Sequence, residues 1–260
     1  MSHQGRIKNN DTGDKATDSY HLYMRDIEML KELKVTSYRF SLSWTRILPD
    51  GSTNKINREG IDYYNKVIDA LLKAGHRTTS YHITILIYLF HYIEMVVGKT
   101  GQQICFQEFG DRVKTWFTIN EPSVPATKPL ETSETGGEYI KTRNLILAHA
   151  GAYRIYEQEF KAKQMGKVSI VLNAVWMEPK NSNIPDDVTA ATRAMEFTLG
   201  LFANPIYKNG DFPEIVKQQV TNRSIGNSRL PIFSSEERKM IKGELYFDEL
   251  FENTYFLNEY

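Results

Sequence analysis

Amphipathic helices and short strands take turns along this chain, and that alternation restricts its fold more than anything in its composition. From Asp18, a residue type that caps helices, the apolar residues Tyr20, Tyr23, Ile27 and Leu30 recur at three- and four-residue spacing up to about residue 34. Over residues 35–44, Tyr38, Phe40, Leu42 and Trp44 alternate with Arg39, Ser41 and Ser43, the period of a strand. After the turn Pro49-Asp50-Gly51, Ile61, Tyr64, Ile68 and Leu71 stripe a helix over about 58–74, with Gly75 placed to end it. A strand over 113–119, a helix over 139–163, a strand over 168–175 and a helix over 187–202 continue the series.

Strands separated by helical crossovers form a parallel sheet, either doubly wound and open or closed into a barrel. An open sheet covered on both faces has strands that are apolar throughout. Here Arg39, Ser41, Thr118, Asn120 and Asn173 interrupt them. Polar groups near the C-terminal ends of strands suit the functional rim of a barrel. The 260 residues are read as one domain, 1–260.

Thirty-two basic and thirty-two acidic residues leave no net charge, so nothing draws in nucleic acid or an anionic membrane. The single Cys105 excludes an internal disulfide, and no residue spacing points to a metal or an organic cofactor. Residues 83–97 are apolar but broken by His91 and Glu94, too short for a span of about 20 residues. The polar start, Met1 to Arg6, is unlike a secretory signal, so the chain as written is expected in the cytosol. The sequons at Asn10 and Asn222 would matter only in a secreted protein.

The chemistry concentrates in Trp116-Phe117-Thr118-Ile119-Asn120-Glu121-Pro122. Pro122 lacks an amide donor and biases Glu121 toward extended geometry at the strand tip. A fixed carboxylate there suits proton transfer to a departing glycosidic oxygen, and Asn120 can donate to a sugar hydroxyl. On residue type alone, however, an Asn-Glu-Pro triplet reads first as a strand-terminal turn with a solvated Glu. Arg39 alone reads first as a buried structural ion-pair partner, and Asn173 as a satisfied strand-end amide.

Longer stretches narrow this. The run from Tyr38 to Pro49, Tyr-Arg-Phe-Ser-Leu-Ser-Trp-Thr-Arg-Ile-Leu-Pro, resembles the second-strand signature of family 1 glycoside hydrolases, retaining β-glycosidases built on a (β/α)8 TIM barrel. Phe109-Gly110-Asp111-Arg112-Val113-Lys114 followed by Thr115 to Pro122 is similar to that family's fourth-strand motif. Residues 57–75, 144–150, 173–179 and 199–213 also look like the family. The resemblance implies that Glu121 is the acid/base, that Arg39 steadies the nucleophile's charge, and that Asn120, His82 and Asn173 bind or line the sugar site. It implies no cofactor or metal, and a small β-glycoside as partner.

Two departures stand against the pattern. The family's first strand is not found, and its third strand, ending in a His-Trp pair, is replaced by Tyr81-His82-Ile83 and the apolar run. The family's nucleophile lies in a Glu-Asn-Gly motif with no counterpart; Glu252-Asn253-Thr254 falls too early and lacks its surroundings. The expected fold is therefore α/β, a partial barrel lacking the first strand and the C-terminal strands. The expected function is a β-glucosidase-type hydrolase whose chain, as written, is inactive. A carbohydrate-binding pseudoenzyme and a non-functional fragment are the other readings. Oligomeric state is open.

Overall fold

The computed structural model describes residues 16–75, 82–87, 98–127 and 137–242. Glu252 to Thr254 and Asn10 lie outside them.

Helix α1 (Ser19–Glu32) starts where the periodicity places it, but Asp18 does not cap it with its side chain. Its carboxylate is taken by His21 Nδ1 at 2.8 Å, and only its carbonyl accepts from the His21 and Leu22 amides. Strand β1 (Ser37–Leu42) is shorter than the alternation predicts. The Ser43 amide donates to Tyr64 Oη at 2.7 Å, and Trp44 opens a helical turn, α2 (Trp44–Ile47), in place of ending the strand. Helix α3 (Arg58–Gly75) buries the predicted Ile61, Tyr64, Ile68 and Leu71 and runs through Gly75.

Strand β2 (His82–Ile87) occupies the start of the apolar run, where the periodicity gave no element. After α4 (Gly98–Phe109) come β3 (Thr115–Asn120) and the short α5 (Ser123–Thr127). The helix expected over 139–163 is three pieces: α6 (Gly137–Ile155), a π-helical turn (Tyr156–Phe160) and α7 (Lys161–Gln164). In that turn Tyr156 and Phe160 both pack on Phe106, and Tyr156 Oη accepts from the Gly166 amide at 2.9 Å. Strand β4 (Lys167–Val171) ends four residues before the predicted limit, and Ala174 to Trp176 beyond it are exposed.

Helix α8 (Pro185–Thr198) begins at a proline, whose missing amide is not needed in a first turn, with Asp186 and Asp187 complementing the dipole. It is separate from α9 (Gly200–Asn204), where one helix was expected over 187–202. A second π-helical turn (Pro205–Asn209) ends at Gly210, whose φ of 80° lets its amide reach the Pro205 carbonyl at 3.0 Å. Helices α10 (Glu214–Arg223) and α11 (Ser235–Ile241) follow, the latter closed at its start by a capping box between Ser234 and Glu237.

The four strands are all parallel and lie in chain order, β1-β2-β3-β4. Right-handed crossovers in unreversed order put every connecting helix on one face; a doubly wound sheet must reverse its order to cover both. On β1 the helix-facing Tyr38, Phe40 and Leu42 belong to the core, whereas Ser37, Arg39 and Ser41 are exposed on the opposite face. That is the arrangement of a partial barrel, with the polar face turned inward.

The core lies between sheet and helices. Trp116 is fully buried against Phe106 at 5.1 Å. Its indole N–H has no partner among the described residues, at a cost of about 1–3 kcal/mol. Removing some 200 Å² of ring surface from water contributes about 5 kcal/mol, so burial wins. Gly101 on α4 admits the Trp44 ring: a Cβ there would stand 1.9 Å from Trp44 Cη2.

Candidate active site

The site stands at the C-terminal ends of β3 and β4, and a defect in strand pairing builds it. Phe117 pairs with Ser169, but Asn120, three residues on, pairs with Val171, only two residues on. One extra residue in β3 is a β-bulge. Strict alternation would put Asn120 on the helix face with Trp116 and Thr118. Instead Thr118 and Ile119 are both buried, Thr118 against His149 of α6 and Ile119 in the cluster containing Ile146 and Ala150. Asn120 thus emerges on the inner face with Phe117.

Arg39 reaches this place from β1. Its Nη2 donates to Asn120 Oδ1 at 3.2 Å, and its guanidinium lies 5.6 Å from the centre of the Phe117 ring. Among the described residues Arg39 meets no carboxylate. Phe117 was not singled out from sequence; once the inner face is known, its place beside Arg39 follows.

Glu121 is exposed, and its backbone corrects an expectation. Rather than extended, as a residue before proline prefers, it has φ 48° in the left-handed region. Two hydrogen bonds hold it there: its amide donates to the Val171 carbonyl at 2.8 Å and its carbonyl accepts from the Val124 amide at 3.0 Å. Such a backbone costs about 1–3 kcal/mol and persists only where its surroundings fix it.

Asn173 lies two residues beyond β4, its Oδ1 accepting from Ser123 Oγ at 2.5 Å. It is therefore tied to the turn that carries Glu121. Ser123 was also missed, and no pattern in the sequence marks it. His82 is not brought to this group: it opens β2 in register with Ser37, at the opposite end of the sheet from Asn120. The structure thus assembles Arg39, Asn120, Glu121 and Asn173, and leaves His82 apart.

Behind the strand, His149 is buried, and desolvation pushes its imidazole down to about 4, so the ring is neutral. Cys105 is buried among apolar groups, which pushes its thiol up to about 12 and keeps it unreactive. The described residues hold no group of three or more His, Cys, Asp or Glu able to bind a metal ion.

Residues 1–257 match the sequence profile of glycosyl hydrolase family 1. The chain belongs to this family. Human cytosolic beta-glucosidase is 44% identical over 95% of the chain and 57% of its own length. Myrosinase 1 of Brevicoryne brassicae is 38% identical over 98% of the chain and, again, 57% of its own. Among solved family 1 structures, aphid myrosinase superposes with a TM-score of 0.82 at 36% identity, covering 91% of the chain and 55% of the other protein. A rice beta-glucosidase gives 0.79 at 34% identity, with 93% and 55% covered. The chain therefore spans little more than half the length of these relatives, and its fold is part of the (β/α)8 barrel they share.

Proposed function

We propose that the complete protein hydrolyses small β-glycosides with retention of configuration, and that Glu121 is its acid/base. Arg39 carries the reading: a permanently charged guanidinium on the inner face of the sheet, bonded to Asn120 next to Glu121 and facing no carboxylate among the described residues. A retaining site needs a second carboxylate about 5–5.5 Å from the acid. In this reading Arg39 holds that nucleophile ionised, Asn120 binds a sugar hydroxyl, and Asn173 keeps the Glu121 turn in place through Ser123.

Glu121 first gives its proton to the departing oxygen while the nucleophile bonds to the anomeric carbon. It then takes a proton from the water that releases the sugar. A rice beta-glucosidase similar to this chain, in mutant form, is known in covalent complex with glucose, which supports a glycosyl-enzyme route and a glucoside as substrate. The 260 residues by themselves are proposed to turn over no glycoside, since proton transfer alone cannot form that intermediate.

Proton NMR of the first-formed sugar, during hydrolysis of p-nitrophenyl β-glucoside by the complete protein, tests this. The β-anomer is expected to form first. Initial release of the α-anomer, or no hydrolysis, contradicts it.

A further inference from the structure

We propose that Thr118 and His149 are positioning residues of this site: together they lock the β3 bulge, and the bulge is what aims Asn120 at Arg39 and sets the backbone of Glu121. The proposal rests on the glycosidase reading only for its kinetic part.

A bulge leaves the ladder out of step, and it persists only where something else fills the gap. Between Phe117 and Asn120 the backbone register with β4 shifts by one residue. In that gap a side chain takes over: Thr118 Oγ1 donates to the Ser169 carbonyl of β4 at 3.3 Å. A hydroxyl has one proton, so with that proton given to Ser169 its oxygen can only accept in its other contact. His149 Nδ1 stands 2.8 Å away. A neutral imidazole protonated on Nδ1 meets both demands, and burial keeps the ring neutral.

The hydroxyl and the imidazole are both buried, 0% and 2% exposed, so no solvent replaces either bond. The result is a chain of contacts from α6 through β3 to β4, placed two residues before Asn120. Past it the ladder resumes, with Asn120 opposite Val171 and the Glu121 amide on the Val171 carbonyl. Without the clamp, the regular alternation of β3 returns Asn120 to the helix face and removes it from Arg39. Thr118 touches no position where a substrate would lie, so its effect on the reaction passes through Asn120 and Glu121.

The test is made on the complete protein with Thr118→Val, which keeps the shape and removes the hydroxyl, and Thr118→Ser, which keeps the hydroxyl. A crystal structure of Thr118→Val is expected to show β3 without its extra residue and Asn120 turned away from Arg39. A retained bulge and Arg39–Asn120 bond would overturn the proposal whether or not the protein hydrolyses glucosides. In kinetics, Thr118→Val is expected to lose about 100-fold in kcat/KM, the scale of a misplacement near 1 Å. Thr118→Ser is expected to restore most of it. Adding Thr118→Val to Asn120→Ala is expected to cost clearly less than Thr118→Val costs in the wild type, since the share of the effect that passes through Asn120 is already lost. Fully additive losses would mean that Thr118 does not act through Asn120 and would overturn the proposal. A wild-type protein that does not hydrolyse glucosides refutes the functional reading, while the crystal structure still decides the clamp.

Discussion

Acidification should destabilise this fold through His149 in a way that a single substitution isolates. In the folded state the buried ring titrates at about 4, against an ordinary value of 6.5 in the unfolded chain. Between these two values the unfolded state binds the proton and the folded state does not, so stability falls as pH falls. The loss begins near pH 6.5 and levels off below about pH 4. It amounts to about 2 kcal/mol at pH 5 and about 3 kcal/mol at pH 4. Carboxylates add their own pH dependence, so the comparison is made with His149→Asn, which keeps a donor near the Nδ1 position and does not titrate. Urea unfolding at half-unit steps from pH 7.5 to 4 should show the wild type losing about 3 kcal/mol more than the variant across the range. Parallel curves would refute the reasoning, because they would mean that the ring is protonated, or water-accessible, in the folded state.

Further substitutions probe packing and local structure. Gly101→Ala gains about 1 kcal/mol of helix propensity but must displace the Trp44 ring from 1.9 Å, so thermal melts should show a net loss of about 1–2 kcal/mol. Ser234→Ala breaks the capping box of α11 and should cost about 1 kcal/mol by chemical denaturation, with Ser234→Asp close to neutral. Gly210→Ala places a Cβ 2.6 Å from the Arg238 carbonyl at a φ of 80°, and should lower the melting temperature more than Ser234→Ala does.

Much of this fold was legible because helix and strand periodicities are set by which face is buried. The stripe Ile61, Tyr64, Ile68, Leu71 is the buried face of α3, and Tyr38, Phe40 and Leu42 are the buried face of β1. Polar Arg39 and Ser41 pointed to an inner face, as the parallel, unreversed sheet bears out. Other features have no periodic signature. Trp44 fits the strand pattern, but the bond from the Ser43 amide to Tyr64 turns the chain into a helix. The π-helical turns keep the helical pattern almost unbroken, so one helix was read where three segments lie.

The candidate site shows the same division. Arg39, Asn120, Glu121 and Asn173 are named by the resemblance of their motifs to the family, and the structure links Arg39 to Asn120 and Asn173 to the Glu121 turn. Alternation alone would have turned Asn120 the wrong way, because a one-residue bulge is invisible in a pattern of period two. The left-handed backbone of Glu121 overrides the local preference before proline through bonds to Val171 and Val124, partners supplied by the fold. His82 was matched by residue type, and its register places it at the far end of its strand.

The most direct test of the central claim is the dependence of Glu121→Gln on the leaving group, measured in the complete protein. A general acid matters when the departing oxygen is basic and hardly at all when it leaves unaided. The glycosylation rate of Glu121→Gln should fall by about 10²–10⁴ with an alkyl or phenyl β-glucoside and stay near wild type with a dinitrophenyl β-glucoside. Equal losses on both substrates, or no loss on either, would contradict the assignment of Glu121 as the acid.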